Sequence, residues 1–497
     1  MRERAVRLLV PSLPCAVWLA LFLTCTVTPF ASALISADGD LAQHVRYGQL
    51  ILSGWDLEGD PLCFLPSERP YVLIDEWLGQ VIFAGAHALF GLAGPVLVTG
   101  ALVASLFAGL LIWLRRLGVG PLTATLLVLG AILVARLHLL ARPHLFTWAL
   151  ALMFTVSLER LRLGEVTLQR WLLFAAPLTV LWVNLHGGFV LAFYLLGLFG
   201  LGQLAHWLHA SRRRTEARLR LWSWVGAGVL LLLASGLNPH GFGAHLSIVE
   251  LLAEPAVSSF RREFAPLDLG LLETWVFLGF TGIALLALAL GRAPRTTWIL
   301  TLGLLALTTR SARHAPLLAL LATPGVGLAL QRILDSSRLD ALRALSARLA
   351  ADETRRGGAA TALAVAVAVT ISIGVFERPR VAFDPRRLPV DAAAWCRQHP
   401  DPVGTRLYAT FHWGGFLAYE LPPETRLFMH AFYLDRAGLE AFQQIRGVGE
   451  GWDDLLAAHE VSAVVEQSGS PLSAALARHP RWREVYADDL ARIFVIR

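Results

Sequence analysis

The sequence contains no lysine, so its 43 permanently cationic side chains are all arginines, and charged residues make up only 16% of the chain. A soluble protein of this length would carry nearer a quarter of charged residues. Cysteine is also scarce, and the four cysteines have neither the spacing of a zinc site nor that of a disulfide framework. These absences argue against a soluble protein and against a cysteine-based metal centre.

Hydrophobic residues are abundant instead: they make up 56% of the 497 residues, and the mean hydropathy is +0.57. Many segments approach the roughly 20 apolar residues that cross a bilayer. The net charge of +6 does not indicate nucleic acid, because the arginines lie in short loops between the apolar segments, where membrane topology selects for them. The sequence therefore predicts an α-helical polytopic membrane protein.

The arginine-rich loops predict about eleven spans, with the N-terminus in the cytoplasm. The predicted spans are 8–35, 93–114, 120–136, 144–160, 171–185, 188–209, 221–237, 271–291, 296–309, 316–333 and 358–377. Residues 74–91 are expected to lie along the outer surface. For the first span, a cleaved signal peptide is the alternative. The segment 296–309 is short for a span, and if it does not cross, the C-terminal region changes side.

The composition changes after the last apolar segment. We predict a transmembrane domain over residues 1–377, whose first outer loop is 36–92, and an extracytoplasmic α/β domain over 378–497. The second domain is predicted because short strand-like runs such as TRLYAT, VSAVVEQ and ARIFVI alternate with helical segments.

Two acidic sites occur in the first outer loop. Asp38 and Asp40 follow the first apolar segment directly, and Asp75 and Glu76 open the segment 74–91. A carboxylate at this place can act as a general base, or it can bind a divalent cation such as Mg²⁺ or Mn²⁺. The alternative is a polar turn that caps a helix, with acids favoured by the helix dipole.

Basic residues cluster at the predicted outer ends of several helices. Arginine and histidine side chains from separate helix ends suit a phosphate or pyrophosphate head group. Snorkelling at the membrane interface explains any single one of them, but it explains several clusters on one side less well. The candidate phosphate ligands are Arg142, His144, His186, His240, Arg310 and Arg313.

Several of these motifs together resemble a known superfamily. The run ADGDLAQHVRYGQLILSGWDLEGDPLCF, the following IDEWLGQ, and the later WVNLHGGF, NPHGFG and RHAPLLAL resemble motifs of a broad group of bacterial membrane proteins. Their overall plan is similar to that of the GT-C superfamily of lipid-dependent glycosyltransferases, such as protein mannosyltransferases and aminoarabinose transferases. The resemblance implies that Asp38 or Asp40 is the catalytic acid, with Asp40 favoured because it opens the helix-like segment, and that Asp75 and Glu76 face the same cavity.

The resemblance also implies a function. A GT-C enzyme in the bacterial cytoplasmic membrane would move a sugar from a polyprenyl-phosphate donor to an extracytoplasmic glycan, lipid or protein acceptor, with donor phosphate held by Arg142, His186 and Arg313. Two alternatives stay open at this point: a non-catalytic protein that binds or transports lipid-linked sugars, and a scaffold of the cell envelope. Neither alternative requires the acidic pair to be catalytic.

Overall fold

A computed structural model describes residues 7–66, 76–209, 214–253, 266–376, 381–432 and 435–497 of the chain. A helix occupies each of the predicted spans, and another occupies the predicted surface segment. The described helices up to residue 376 are α1 (Leu13–Val27), α2 (Phe30–Ser36), α3 (Asp40–Leu52), α4 (Trp77–Phe90), α5 (Ala93–Arg116), α6 (Pro121–Ala135), α7 (His144–Arg162), α8 (Leu168–Leu185), α9 (Val190–His209), α10 (Arg214–Ser235), α11 (Gly243–Ala253), α12 (Leu272–Leu290), α13 (Arg295–Arg310), α14 (Ala315–Leu321), α15 (Thr323–Ser336), α16 (Asp340–Glu353) and α17 (Ala359–Phe376).

Length and apolarity qualify only some of these helices as membrane spans. Among the described residues, four helices are long and apolar enough to cross a membrane, and the number rises to six if each of two bent pairs is one span. Helix α13, which covers the predicted span 296–309, has 16 residues. The protein is therefore a largely helical membrane protein, whereas the number of eleven spans stays a prediction.

Prolines explain where the two bent pairs break. Between α1 and α2 the chain turns by 68° at Thr28 and Pro29, and between α14 and α15 it turns by 50° just before Pro324. Proline has no N–H to donate, and its ring collides with the preceding helical turn, so it starts a new helix. The first predicted span thus consists of two helices.

The first loop folds into two helices that touch through their backbones. At the crossing of α3 and α4, a Cβ atom on Gly48 would lie 2.2 Å from the carbonyl oxygen of Gln80. Only glycine allows this approach. The contact holds the helix that begins at Asp40 against the helix that follows Glu76, so that the two predicted acidic sites belong to one packed unit.

The C-terminal region contains the predicted small α/β unit. Its elements are α18 (Val390–Gln398), α19 (Pro400–Val403), β1 (Arg406–Ala409), α20 (Gly414–Glu420), β2 (Arg426–Leu427), α21 (Arg436–Arg446), α22 (Trp452–Ala458), β3 (Ala463–Gln467), α23 (Pro471–Leu476), β4 (Trp482–Ala487) and β5 (Ala491–Ile496). The sheet order is β2-β1-β3-β5-β4, in which β1 pairs in parallel with β2 and β3 while β5 is antiparallel to β3 and β4. The predicted boundary between residues 377 and 378 lies outside the described residues.

The first loop is attached to this sheet by backbone hydrogen bonds. The N–H of Leu427 in β2 donates to the carbonyl of Leu62 at 2.8 Å, and the N–H of Phe64 donates to the carbonyl of Leu427 at 2.9 Å. The segment thereby extends the sheet at its β2 edge, as an added strand would. The loop between the first two predicted spans and the C-terminal sheet are consequently one continuous structure.

Close packing of α3 on α20 leads to a testable prediction. A Cβ atom on Gly415 would lie 2.7 Å from the carbonyl oxygen of Gly39 and from the Cβ atom of Gln43. We expect Gly415→Ala to lower the free energy of unfolding by about 1–3 kcal/mol, because this contact cannot relax without moving backbone. Titration with sodium dodecyl sulfate in mixed micelles would measure the unfolding free energy of the variant and of the wild type.

The matched control is Gly85→Ala in α4, where an added Cβ meets no atom within 4 Å. That substitution should leave the unfolding free energy unchanged or raise it by up to about 1 kcal/mol, since alanine favours helices over glycine. Equal effects of the two substitutions would contradict the proposed contact between the loop and the C-terminal region.

Candidate active site

The acidic turn, residues 38–40, is shaped by its own first carboxylate. Asp38 Oδ1 accepts a hydrogen bond of 3.1 Å from the backbone N–H of Asp40. Aspartate favours such turns because its side chain can accept this bond. The N–H of Gly39 donates to the carbonyl of His412 at 3.2 Å, and a Cβ atom on Gly39 would stand 2.8 Å from that oxygen. Glycine therefore lets the acidic turn touch the C-terminal region directly.

Arg142 binds both carboxylates of the acidic turn. Its Nη1 atom lies 3.0 Å from Asp40 Oδ2, and its Nη2 atom pairs with Asp38 Oδ2. The backbone beside it is held by a hydrogen bond of 3.0 Å from the N–H of Ala141 to the carbonyl of Leu34 in α2. A guanidinium can serve two acids in this way because its donors form a rigid fork. A predicted phosphate ligand and the two predicted catalytic acids thus form one ion-paired group.

Glu76, the second predicted acid, lies between two histidines. His186 Nε2 is 3.3 Å from Glu76 Oε1, and His44 Nδ1 is 3.6 Å from Glu76 Oε2. The N–H of Gly188 donates to His186 Nδ1 at 2.9 Å, which leaves the proton of the neutral ring on Nε2, facing Glu76. Because His44 follows Asp40 by four residues in α3, the two side chains share one helix face. The two acidic sites therefore border the same face of α3.

His144, Arg310 and Arg313 lie at other helix ends. His144 begins α7 and donates from Nε2 to the carbonyl of His138 at 2.8 Å, while its ring centroid is 6.5 Å from that of His186. Arg310 is exposed at the end of α13, and Arg313 lies in the short turn before α14. His144 is thus adjacent to the histidine that faces Glu76.

His240 lies in the turn that follows α10, where the side chain of Asn238 accepts a hydrogen bond of 3.0 Å from its backbone N–H. Burial lowers the pKa of the His240 imidazole, and the nearby Glu58 carboxylate opposes that shift. Glu58, the acid that acts on His240, belongs to the first outer loop. Asp75, the other predicted acid of the second site, lies outside the described residues.

A cavity of about 1230 Å³ separates the acidic turn from the C-terminal sheet. Asp38, Asp40 and Arg142 line one side of it. The opposite side is formed by the loops that follow β1 and β3 and by the end of α21. Sites for small ligands typically have 300–1,000 Å³, so this space can hold two of them side by side. The predicted catalytic acids therefore open onto a chamber shared by both parts of the chain.

The acidic pair already has a cation beside it, which argues against a site for Mg²⁺ or Mn²⁺. Such ions prefer six oxygen ligands, of which one or two carboxylates supply part and waters or substrate phosphates the rest. Across the ranges that the structure describes, no group of three His, Cys, Asp or Glu side chains is placed to hold a metal ion. In addition, Asp38 and Asp40 already share the guanidinium of Arg142 as their cation. The residues present therefore do not fit the divalent cation that the sequence allowed.

A buried polar cluster joins α3 to the C-terminal region. Asp60 accepts a hydrogen bond of 2.9 Å from the Tyr47 hydroxyl and pairs at 2.7 Å with His430 Nε2. Gln43 Nε2 donates to His430 Nδ1 at 2.7 Å, which leaves the imidazole proton on Nε2, toward Asp60. Tyr47, Gln43 and His430 are fully buried. Because two of these residues lie on α3, the cluster fixes the rotation of the helix that carries the acidic turn.

Sequence reasoning missed the functional position of His44 and of this cluster. For His44 a signal existed, since it follows Asp40 at the spacing that places two side chains on one helix face. For Asp60 and His430 no local signal exists, because 370 residues separate them. Strand β4 was also not predicted.

Comparisons with known proteins agree with the fold predicted from the sequence. No family model matches the chain, and no curated protein matches it. Among solved structures, ArnT from Cupriavidus metallidurans bound to undecaprenyl phosphate is similar, with a TM-score of 0.54, 13% sequence identity and coverage of 97% of each chain. The apo state of the same protein gives a TM-score of 0.52, 14% identity and coverage of 97% of each chain.

A further solved structure is the oligosaccharyltransferase of Archaeoglobus fulgidus in complex with Zn and sulfate. It has a TM-score of 0.49 and 14% identity, and the match covers 92% of this chain and 68% of that one. The two ArnT structures cover almost the whole of both chains. The chain therefore shares its fold with ArnT along almost its whole length.

Proposed function

We propose that this protein is a GT-C glycosyltransferase that moves a sugar from a polyprenyl-phosphate donor to an extracytoplasmic acceptor. The observation that carries the proposal is the acidic pair with its arginine, which opens onto a cavity of about 1230 Å³ between the membrane helices and the C-terminal sheet. The similarity to ArnT supports a lipid-linked donor, since that protein was solved with undecaprenyl phosphate bound.

In this proposal Asp40 is the general base. Both oxygens of Asp38 are engaged, one by the N–H of Asp40 and one by Arg142, so Asp38 shapes the turn. Asp40 removes the proton of the acceptor hydroxyl while that oxygen attacks the anomeric carbon of the sugar. The bond from this carbon to the phosphate oxygen breaks, and its electron pair leaves with the polyprenyl phosphate. The configuration at the anomeric carbon is inverted.

The donor phosphate would be held by basic groups around the acids. Arg142 contributes positive charge beside the reacting atoms, where it stabilises the charge that develops on the leaving phosphate. His186 can donate from Nε2, and His144, His240, Arg310 and Arg313 complete the set that the sequence suggested. We further propose that the protein lies in the bacterial cytoplasmic membrane, with its N-terminus in the cytoplasm and its C-terminal domain outside.

Donor turnover tests the proposed function directly. The full chain would be reconstituted in lipid vesicles with a panel of polyprenyl-phosphate sugars, and the release of free polyprenyl phosphate would be measured. We expect release with at least one donor, and none from the double variant Asp38→Asn/Asp40→Asn. The control is Asp489→Asn, an exposed acid of the C-terminal region, which should release at the wild-type rate.

The alternatives make different predictions in the same assay. A carrier of lipid-linked sugars would bind the donors without releasing polyprenyl phosphate, and an envelope scaffold would do neither. Either result with well-folded protein would refute the transferase.

Resistance to chelation is a further expected result. Because Arg142 already supplies the positive charge beside the acids, transfer in excess EDTA should stay within about twofold of the untreated rate. Added Mn²⁺ or Mg²⁺ should not raise it. A loss of more than tenfold that Mn²⁺ restores would show that a metal enters the site after displacing Arg142.

A further inference from the structure

The topology of the C-terminal sheet creates a crevice beside the acidic turn. Strands β1 and β3 are parallel neighbours, but the chain leaves β1 toward β2 on one side and leaves β3 toward β4 and β5 on the other. The loops that follow the two strands therefore diverge. In sheets of this kind, ligands bind outside the carboxyl ends of the strands at such a switch point.

This crevice is the C-terminal wall of the cavity. The loop after β1 supplies Phe411 and His412, and the end of β3 supplies Glu466 and Gln467. The hydrogen bond from Gly39 to the carbonyl of His412 joins the first of these loops to the acidic turn. A ligand in the crevice would consequently lie next to Asp40, the proposed general base.

The charges around the cavity do not favour an anionic ligand on this wall. The lining of the cavity contains two arginines, Arg142 and Arg446, and three acids, Asp38, Asp40 and Glu466. Glu466 is 3% exposed, and burial raises the pKa of its carboxyl, while Arg446 is among the groups that oppose the shift. With no surplus of positive charge, a phosphate or carboxylate acceptor would gain little here.

The apolar groups of the wall are of an unusual kind. The residues that line the cavity include phenylalanines but no Leu, Ile, Val or Met in the described part of the chain. An acyl chain would be expected to meet such aliphatic side chains, as most apolar ligands do. The flat faces of aromatic rings instead suit the C–H faces of sugar rings, and Phe411 is partly exposed in the cavity that Gln467 also lines.

The polar groups match a ligand rich in hydroxyls. The side-chain amides of Gln443 and Gln467 can each donate and accept, as a sugar hydroxyl also does. The geometry points to a saccharide acceptor, bound at the carboxyl ends of β1 and β3 with one hydroxyl toward Asp40. This inference rests on the proposed function for the transfer step: that hydroxyl oxygen bonds to the anomeric carbon, its proton passes to Asp40, and polyprenyl phosphate leaves with the electron pair.

Saccharide binding can be measured without any donor. The probes are maltotetraose, mannotetraose and tetra-N-acetylchitotetraose, offered to the full chain in nanodiscs and followed by saturation-transfer NMR and titration calorimetry. We expect at least one probe to bind. Its dissociation constant should rise about tenfold in Phe411→Ala and in Gln467→Ala, whereas Gln398→Ala, an exposed glutamine on α18, should bind as wild type. Two variants are needed because Phe411 also packs near Phe442.

The donor assay separates this inference from the proposed function. A probe that binds and also speeds release of polyprenyl phosphate supports both. A probe that binds while no donor is turned over keeps the saccharide site and refutes the transferase. Turnover by protein that binds none of the probes, or turnover speeded only by a peptide or a phospholipid, would overturn the saccharide acceptor and leave the transferase intact. Equal binding by wild type and both wall variants would also overturn it.

Discussion

Asp40→Asn should lower kcat for sugar transfer by about 10²–10⁴-fold, the range that a positioned general base contributes. The amide keeps the shape of the side chain and can still accept from Arg142, but it cannot take the proton of the acceptor. Binding of the lipid-linked donor should change much less than kcat, because Arg142 keeps its pairing with Asp38 and can still donate to the asparagine oxygen. The measurement is single-turnover release of polyprenyl phosphate in vesicles, with donor binding measured in parallel.

Asp38→Asn is the matched comparison. This substitution should lower kcat less, by about tenfold. Asp38 acts by shaping the turn and by holding Arg142, and it does not contact the acceptor. The pH profile distinguishes the two roles. Loss of the base should remove the rise of kcat at acidic pH, whereas a distorted turn should lower the whole profile. If Asp38→Asn proved the more damaging, the base would have to be Asp38.

Asp60→Asn is expected to have the second large effect, on stability. Both oxygens of Asp60 accept hydrogen bonds, one from His430 Nε2 and the other from the N–H of Leu62 and the Tyr47 hydroxyl. Whichever way the asparagine amide turns, its NH₂ group replaces one of these oxygens and faces a buried N–H donor. Leaving a buried donor without an acceptor typically costs about 1–3 kcal/mol, and the hydrogen bonds to the charged carboxylate are lost as well. Unfolding by sodium dodecyl sulfate in mixed micelles would measure the loss, and the variant should also lose transfer activity at a lower temperature than wild type.

The control in the same loop is Asp56→Asn. Asp56 is exposed and accepts only a turn hydrogen bond of 3.1 Å from the N–H of Glu58 among the bonds described, so the effect should stay within about 1 kcal/mol. If Asp60→Asn proved no more destabilising than this control, the buried cluster would not hold α3 in place.

The pH dependence of stability follows from the same cluster. Burial alone would raise the pKa of Asp60, but the pairing with His430 and the hydrogen bonds from Leu62 N–H and the Tyr47 hydroxyl outweigh it, so the pKa is lowered. The carboxylate therefore stabilises the fold fully above the ordinary aspartate pKa of about 3.9, and this stabilisation is lost as the pH falls through the lower folded value. The gap between wild type and Asp60→Asn should shrink below about pH 4.

Much of the candidate site could be predicted because its residues stand at the ends of apolar segments. Asp38, Asp40 and Arg142 were assigned to one side of the membrane from arginine-rich loops alone, and they meet in the structure. Arg142 was expected to hold donor phosphate, and the structure adds that it pairs with the two acids. A pattern of helix ends indicates which residues share a membrane face, but not which of them bind one another, so its pairing with the acids could not be foreseen.

The bends and the missed elements have different causes. Pro29 was visible inside the first apolar segment, and its effect on a helix is local, so the break there could have been predicted. Strand β4 has few buried residues along its length, and it therefore shows little of the apolar pattern that marks a strand. For His44 only half of the information was local. Its spacing from Asp40 can be seen in the sequence, but its contact with Glu76 cannot.

What the sequence by itself determined is the class of protein: a helical membrane protein with a small C-terminal α/β unit and an acidic turn after its first apolar segment. These features depend on hydrophobic length, periodicity and local turn chemistry, which are written in neighbouring residues. The tertiary structure alone decided that Arg142 pairs with Asp38, 104 positions earlier, and that His430 holds Asp60 across 370 positions. It also decided that a cavity opens between the acidic turn and the sheet. Such contacts arise only when distant segments pack together, because ion pairs, buried hydrogen bonds and cavities depend on distances in space and leave no trace in local sequence.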